Sequence, residues 1–181
     1  MNFYYEAKAD LNKNQLDLIE LVKSNTFPWY YQESTSPKFM FYGHTLMTRN
    51  ELNLGGHGTI NSDYYGYFYE IFVDFCKKHD IEYSHVLRAA LNSTGYFPDV
   101  MGDIHTDHNF EHKNFLMYLN VFTNGKTYIF NESKEIIKTI DPEEHKVSIF
   151  SGELHAQGFC NPYERRIALI MTFVWYFVLF F

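Results

Sequence analysis

The stretch Phe115-Leu116-Met117-Tyr118-Leu119-Asn120-Val121-Phe122 opens a series that decides the fold class. It continues with Thr127-Tyr128-Ile129-Phe130, then Ile136-Ile137-Lys138-Thr139-Ile140, Val147-Ser148-Ile149-Phe150 and the apolar run Arg166–Trp175. Each segment is short, rich in β-branched and aromatic side chains, and separated from the next by a polar turn. Such spacing predicts the strands of a sandwich or barrel. Working outward, the chain before Gly95 reads differently. Leu16, Ile19 and Val22 fall near helical spacing over Asn14–Lys23, and Asp63 is expected to open and cap a second helix through Lys78, with Phe68, Ile71, Phe72 and Phe75 on one side. Phe27–Thr48 reads as short strands and loops, and Val86–Leu91 as a strand. The expected architecture is mainly β (α+β) in one domain over 1–181. A helical and irregular region, 1–95, would support a β core, 96–177.

Composition narrows the functional classes. The chain has 181 residues, enough for one domain with a substantial core. Fifteen Lys+Arg against 22 Asp+Glu give a net charge of −7, which disfavours general nucleic-acid binding. Aromatic residues make up 19%, in keeping with β-rich structure. The two cysteines, Cys76 and Cys160, are too few for a disulfide framework, and the N-terminus has no signal-peptide profile, so a cytosolic protein is expected. The apolar end Ile167–Phe181 would rise only about 22 Å as a helix, short of the roughly 30 Å hydrocarbon core of a bilayer. A buried strand followed by an apolar terminus is the expected reading, and Trp175–Phe181 offers a surface for a homodimer.

The chemistry concentrates in Gly102-Asp103-Ile104-His105-Thr106-Asp107-His108. On an extended segment His105 and Asp107 project from one face and can reach one ion. His155 follows a strand-like run and the turn Ser151-Gly152-Glu153-Leu154. Two imidazoles and a carboxylate form a facial triad that leaves metal positions open, as in non-haem Fe(II) oxygenases. Further on, Arg165-Arg166 precede an apolar strand. A guanidinium facing inward there calls for an anion, because an unpaired buried charge is costly. Alternation places Arg166 with the small Ala168 on one face and Arg165 on the other, favouring Arg166 as the inward residue.

In order, His105-x-Asp107, Tyr118-Leu119-Asn120, Gly125–Phe130, Phe150–His155 and Arg166-Ile167-Ala168-Leu169 resemble the Fe(II)/2-oxoglutarate-dependent oxygenases. The likeness is greatest to prolyl-hydroxylase-like and small phage-encoded members, and it spans about Tyr96–Phe177. It implies a double-stranded β-helix (jelly roll) with Fe(II) held by His105, Asp107 and His155. Arg166 would pair with the distal carboxylate of 2-oxoglutarate and Tyr118 would add a hydrogen bond, with Thr127 lining the same pocket. The implied reaction uses O2, releases succinate and CO2, and hydroxylates a peptide or protein side chain or a small molecule. Two departures from the prolyl hydroxylases stand out: Arg166 where collagen-type enzymes carry Lys, and Asn124-Gly125 where Gly-Gly is usual.

The same residues admit other readings. His105, His108 and His112 would share a face of a helix and suggest zinc. The Phe150–His155 turn also resembles that of the cupins, and a non-catalytic jelly roll would use its aromatic surfaces for binding. His44, His108 and His112 are expected to be solvated, and Glu153 an exposed turn residue. Trp29–Tyr31 is a candidate substrate wall. Asp107, at a cleft, is expected to add little to folding.

Overall fold

A computed structural model describes residues 3–33, 39–50, 55–99 and 101–175. The strands are β1 (Tyr4–Lys8), β2 (Tyr30–Glu33), β3 (Met40–Thr48), β4 (Thr59–Ile60), β5 (His85–Thr94), β6 (Lys113–Tyr118), β7 (Thr127–Phe130), β8 (Ile136–Ile140), β9 (Lys146–Ser151), β10 (Leu154–Gln157) and β11 (Arg166–Val174). Two helices, α1 (Lys13–Lys23) and α2 (Tyr65–Lys78), complete the elements. Antiparallel pairing orders the larger sheet β1-β9-β6-β11-β5-β3-β2, with β4 on β3, and the smaller sheet β10-β7-β8.

Strand periodicity explains how the sheets and helices stack. On β11, Ile167, Leu169, Met171 and Phe173 join Phe115 and Met117 of β6 in a core with Ile19 and Val22 of α1 and Phe68, Ile71, Phe72 and Phe75 of α2. The alternate residues face the other way: Ala168 with Leu116 and Tyr118 of β6 packs against Ile129 and Ile140 of the smaller sheet. The central strand β6 is therefore buried at every position and, after Lys113 and Asn114, reads as an apolar run from Phe115 to Tyr118. This two-sheet, mainly β arrangement is the expected jelly roll, and helices cover the outer face of its larger sheet.

The first half departs from expectation. Strands β1 to β5 all precede Gly95 and all belong to the larger sheet, so the first half builds the core and does not merely support it. β5 (HVLRAALNST) is covered on both faces, which erases the polar alternation that would have marked it as a full-length strand. Asp63 does not cap α2: the helix begins at Tyr65 after Tyr64, without a side-chain cap. Instead the Ser62 hydroxyl accepts from the Tyr64 N–H at 3.2 Å. His44 is buried, not solvated, its ring held between the Pro28 carbonyl and Ser62 at 2.8 and 2.7 Å.

No described helix is long and apolar enough to cross a membrane. The apolar end seen in the sequence begins as the central strand β11, and Trp175 stacks edge-on against Phe3 at 4.5 Å. The rest of the segment expected to form a dimer surface, 176–181, lies outside the described residues.

Candidate metal centre

A backbone bridge assembles the site. The His105 N–H donates to the His155 carbonyl at 3.0 Å and the His155 N–H to the His105 carbonyl at 2.8 Å. The two imidazoles are thereby brought to 4.6 Å between ring centres. Each ring is oriented by its own chain: His105 Nδ1 donates to the Asp103 carbonyl at 2.9 Å and His155 Nδ1 to the Glu153 carbonyl at 3.0 Å. Both Nε2 atoms are left to act as ligands, as in metal sites where a carbonyl fixes the tautomer. Asp107 Oδ2 lies 3.4 Å from His155 Nε2. Donor atoms of His105, Asp107 and His155 all fall within 4.8 Å of one another, and among the described residues no other such group forms.

Asp107 is nearly buried, and its Oδ1 accepts from Arg49 Nη2 and Arg88 Nη1, both at 3.1 Å. Burial pulls its carboxyl upward, but the hydrogen bond and charge of His155, with the Arg88 charge, hold it well below the carboxylate range. Burial likewise depresses His155, and Asp107 more than reverses it, leaving the imidazole raised. His105 is lowered, chiefly by burial, and so is ready to ligate as the neutral ring.

Arg166 closes the opposite end of the same cavity. It is almost fully buried, with Nε to the Gly125 carbonyl at 3.2 Å, Nη1 to Gln157 Oε1 at 3.3 Å and Nη2 to Thr127 Oγ1 at 3.1 Å. All three acceptors are neutral. Asn120 pins the backbone on either side, its Nδ2 donating to the Arg165 carbonyl at 2.6 Å and its Oδ1 accepting from the Ile167 N–H at 2.8 Å. Asn124 and Gly125 turn into β7 with φ of 60° and 56°, and a Cβ on Gly125 would come within 2.8 Å of Phe122, so glycine is required there. Arg165 points away, donating to the Lys23 carbonyl at 2.8 Å beside the Trp29 ring.

The cavity between the two ends measures about 300 Å³. Thr127 lines it. Tyr118 stands behind Thr127, hydrogen-bonded to it at 3.0 Å, with the Arg166 guanidinium 5.2 Å from its ring centre. The apolar wall of the cavity is Phe39 and Phe41 with Leu116, Phe150 and Ile170, not the expected Trp29–Tyr31. Sequence reading missed Arg49, Arg88, Asn92, Asn114 and Gln157, all of which line it. For Arg88 and Asn92 the signal was there in retrospect: polar residues at even spacing inside an otherwise apolar strand.

Residues 105–112 form no helix, so the zinc set His105, His108 and His112 does not assemble. His108 and His112 are buried, not solvated. His108 Nε2 is hydrogen-bonded to Thr172 Oγ1 at 2.8 Å, and burial, with the neighbouring His112, lowers its pKa to about 4. Glu153 is half-buried rather than exposed, and burial pushes its carboxyl up.

Neither a family model nor a curated protein matches the sequence. Comparison of structures does find relatives in shape. A 2OG-Fe(II) oxygenase family oxidoreductase from Burkholderia pseudomallei superposes with a TM-score of 0.69 at 13% identity, over 96% of this chain and 84% of that one. The fold is that of the 2OG-Fe(II) oxygenases. A Pseudomonas putida prolyl-4-hydroxylase shares the oxygenase fold with a TM-score of 0.58 at 11% identity, over 96% of this chain and 93% of its own. So does a Trichoplax adhaerens prolyl hydroxylase in complex with a hypoxia-inducible-factor peptide fragment, at 0.60 and 11%, over 94% of this chain and 83% of its own.

The donor set fits the metal that this fold family carries. Two anchored imidazoles and one carboxylate oxygen are the facial triad suited to Fe(II), and no thiol intrudes on the group.

Proposed function

We propose that this chain is an Fe(II)- and 2-oxoglutarate-dependent dioxygenase that hydroxylates its substrate. The observation that carries the reading is the pairing, in one cavity, of the His105–Asp107–His155 triad with a buried guanidinium whose hydrogen-bonded acceptors are all neutral. A structural arginine at this depth would be matched by a carboxylate, since an unneutralised buried charge costs several kcal/mol, roughly. A co-substrate carboxylate supplies the missing anion in a geometry that suits a guanidinium fork.

His105, Asp107 and His155 would hold Fe(II), and Arg166 with Thr127 would bind the distal carboxylate of 2-oxoglutarate; Tyr118 would orient the Thr127 hydroxyl. Iron supplies the chemistry that couples oxidation of the keto acid to succinate and CO2 with insertion of oxygen into a C–H bond. The chain's own part is to position. The Asp103 and Glu153 carbonyls keep the proton on each Nδ1, so that Nε2 is the basic atom. Arg88 and Arg49 hold one carboxylate oxygen of Asp107 and thereby turn the other toward His155. Phe39, Phe41, Leu116, Phe150 and Ile170 exclude water from the space between the two ends. The peptide bound to one structural relative, together with the open aromatic wall, supports a peptide or protein side chain as substrate.

Anaerobic addition of Fe(II) and 2-oxoglutarate tests the reading. A visible charge-transfer band that needs both components, and succinate release in air, are expected. Absence of the band in wild-type protein that binds Fe(II) would overturn it.

A further inference from the structure

Charge and hydrogen bonding are unevenly matched at the metal end of the cavity. Arg49 and Arg88 both spend their contact on a single oxygen, Asp107 Oδ1, so two guanidiniums share one negative charge. Any cation held by the triad draws on that same carboxylate and leaves the pair further from neutrality. Arg49 has a side chain 46% exposed at the entrance, whereas the Arg88 side chain is 22% exposed within the wall.

A second, independent feature lies at the same level of the sheet. Thr172 of β11 is paired in register with Arg88 on one side and with Asn114 on the other. The Asn114 side chain lines the cavity, is 1% exposed, and has neither its amide nitrogen nor its oxygen hydrogen-bonded. Leaving both groups of a buried amide unmet is costly, and a fold tolerates this where a ligand completes the site. Asp103 lines the same end of the cavity, so the positive surplus there arises once a divalent cation joins the triad. That surplus beside a spare N–H donor is complementary to an oxyanion, although the whole chain carries −7.

We propose that the substrate carries an anionic group, a carboxylate or a phosphate monoester, that docks at the metal end of the cavity on Arg49 and the Asn114 amide. Arg49 is then the specificity-determining residue, because Arg88 lies deeper and is committed to Asp107. The identification of this anion as the substrate's rests on the oxygenase reading, in which Arg166 would take one carboxylate of the co-substrate and the metal the other, both already filled in the loaded protein tested below. The anion site itself needs only the bound cation.

Protein loaded with Mn(II) and 2-oxoglutarate under nitrogen is titrated calorimetrically with hippurate, phenyl phosphate and the neutral hippuramide. Hippurate and phenyl phosphate separate the two sources of the anion. At least one should bind roughly ten- to a hundredfold more tightly than hippuramide, the range for a charge-assisted contact. Arg49→Gln should remove that advantage and Arg49→Lys should restore part of it. Asn114→Leu should weaken the anion while raising Tm, since it removes two unmet polar atoms without changing side-chain size greatly. Equal affinity for all three ligands, tighter binding of hippuramide, or anion binding unaffected by Arg49→Gln would overturn the proposal. The preceding 2-oxoglutarate titration reports on the oxygenase reading separately. If it shows no binding, the same anion titrations on the Mn(II)-loaded chain and its Arg49→Gln variant still decide the anion site.

Discussion

Replacing Asp107 by alanine should destabilise the metal-free protein substantially. The Asp107 side chain is 5% exposed and is shared by Arg49, Arg88 and His155. Arg49 is half in water and can turn outward when its partner goes, so its share resembles a surface pair, about 0–1 kcal/mol. Arg88 cannot leave the wall so easily. Removing one member of a buried pair costs about 3–5 kcal/mol, and the partial exposure of Arg88 brings this to about 2–3 kcal/mol. For a chain of this length that corresponds to a fall in Tm of about 5–10 °C. Scanning calorimetry in the presence of a chelator reads the change. Asp107→Asn, which keeps an oxygen for Arg88, should recover part of it, and Mn(II) should raise the Tm of the parent but not of the alanine variant. A chelated Asp107→Ala protein melting within about 1 °C of the parent would refute the pairing, because a buried guanidinium stripped of its carboxylate cannot be that cheap. The position in the sequence suggested the opposite, an exposed cleft ligand of little consequence to folding.

Three further outcomes are expected. Arg166→Gln should raise the 2-oxoglutarate concentration for half-saturation roughly a hundredfold, and Arg165→Gln should leave it within about twofold, since only the former loses charge-assisted bonds; the reverse ranking would place the wrong arginine in the cavity. His108, whose folded pKa of about 4 lies below its ordinary 6.5, takes up its proton more readily when unfolded. Its contribution is therefore complete above about pH 6.5 and is lost as the pH falls toward 4, by about 3 kcal/mol in all. Urea unfolding at several pH values should show a shallower acid-side slope for His108→Gln, and an unchanged slope would count against the buried neutral ring. A Cβ on Gly152 would meet the His112 imidazole at 2.2–2.7 Å. Gly152→Ala should cost about 1–3 kcal/mol by overpacking, measured by chemical denaturation, with His112→Ala relieving it in the double variant.

The parts of the fold that could be read directly were those with one face to water or a clear turn on either side. The bounds of β7 and β8 coincide with the segments expected from the sequence, and β9 and β11 differ by a residue or so. In β5 the strand was expected over Val86–Leu91, but its full extent, His85–Thr94, and its cavity face were not legible: Ala89, Ala90 and Leu91 are all covered, so no alternation marks the faces, and Arg88 and Asn92 look like interruptions when they line the cavity. Among the candidate site residues, the pairing of His105 with Asp107 and the inward phase of Arg166 were legible from strand alternation, whereas His155, 50 positions further on, was joined to them by its donor chemistry and the order of the motifs. Arg49, Arg88 and Asn114 were not, because their role depends on strands distant in sequence becoming neighbours through β11. His108 and His112 sit in a polar stretch that looks solvated, and only the packing of the Gly152 turn and Thr172 over them reveals otherwise.

The alternation along β11 bears on how this chain tolerates change. One set of its residues faces the helices and the interleaved set, starting with Arg166, faces the cavity and the smaller sheet. Deleting or inserting a single residue near its start would exchange the two sets: Arg166 would be driven into the apolar, helix-covered core, and Leu169 or Met171 would enter the space proposed for the co-substrate. Point substitutions can therefore drift independently on either side of this strand, but its length cannot.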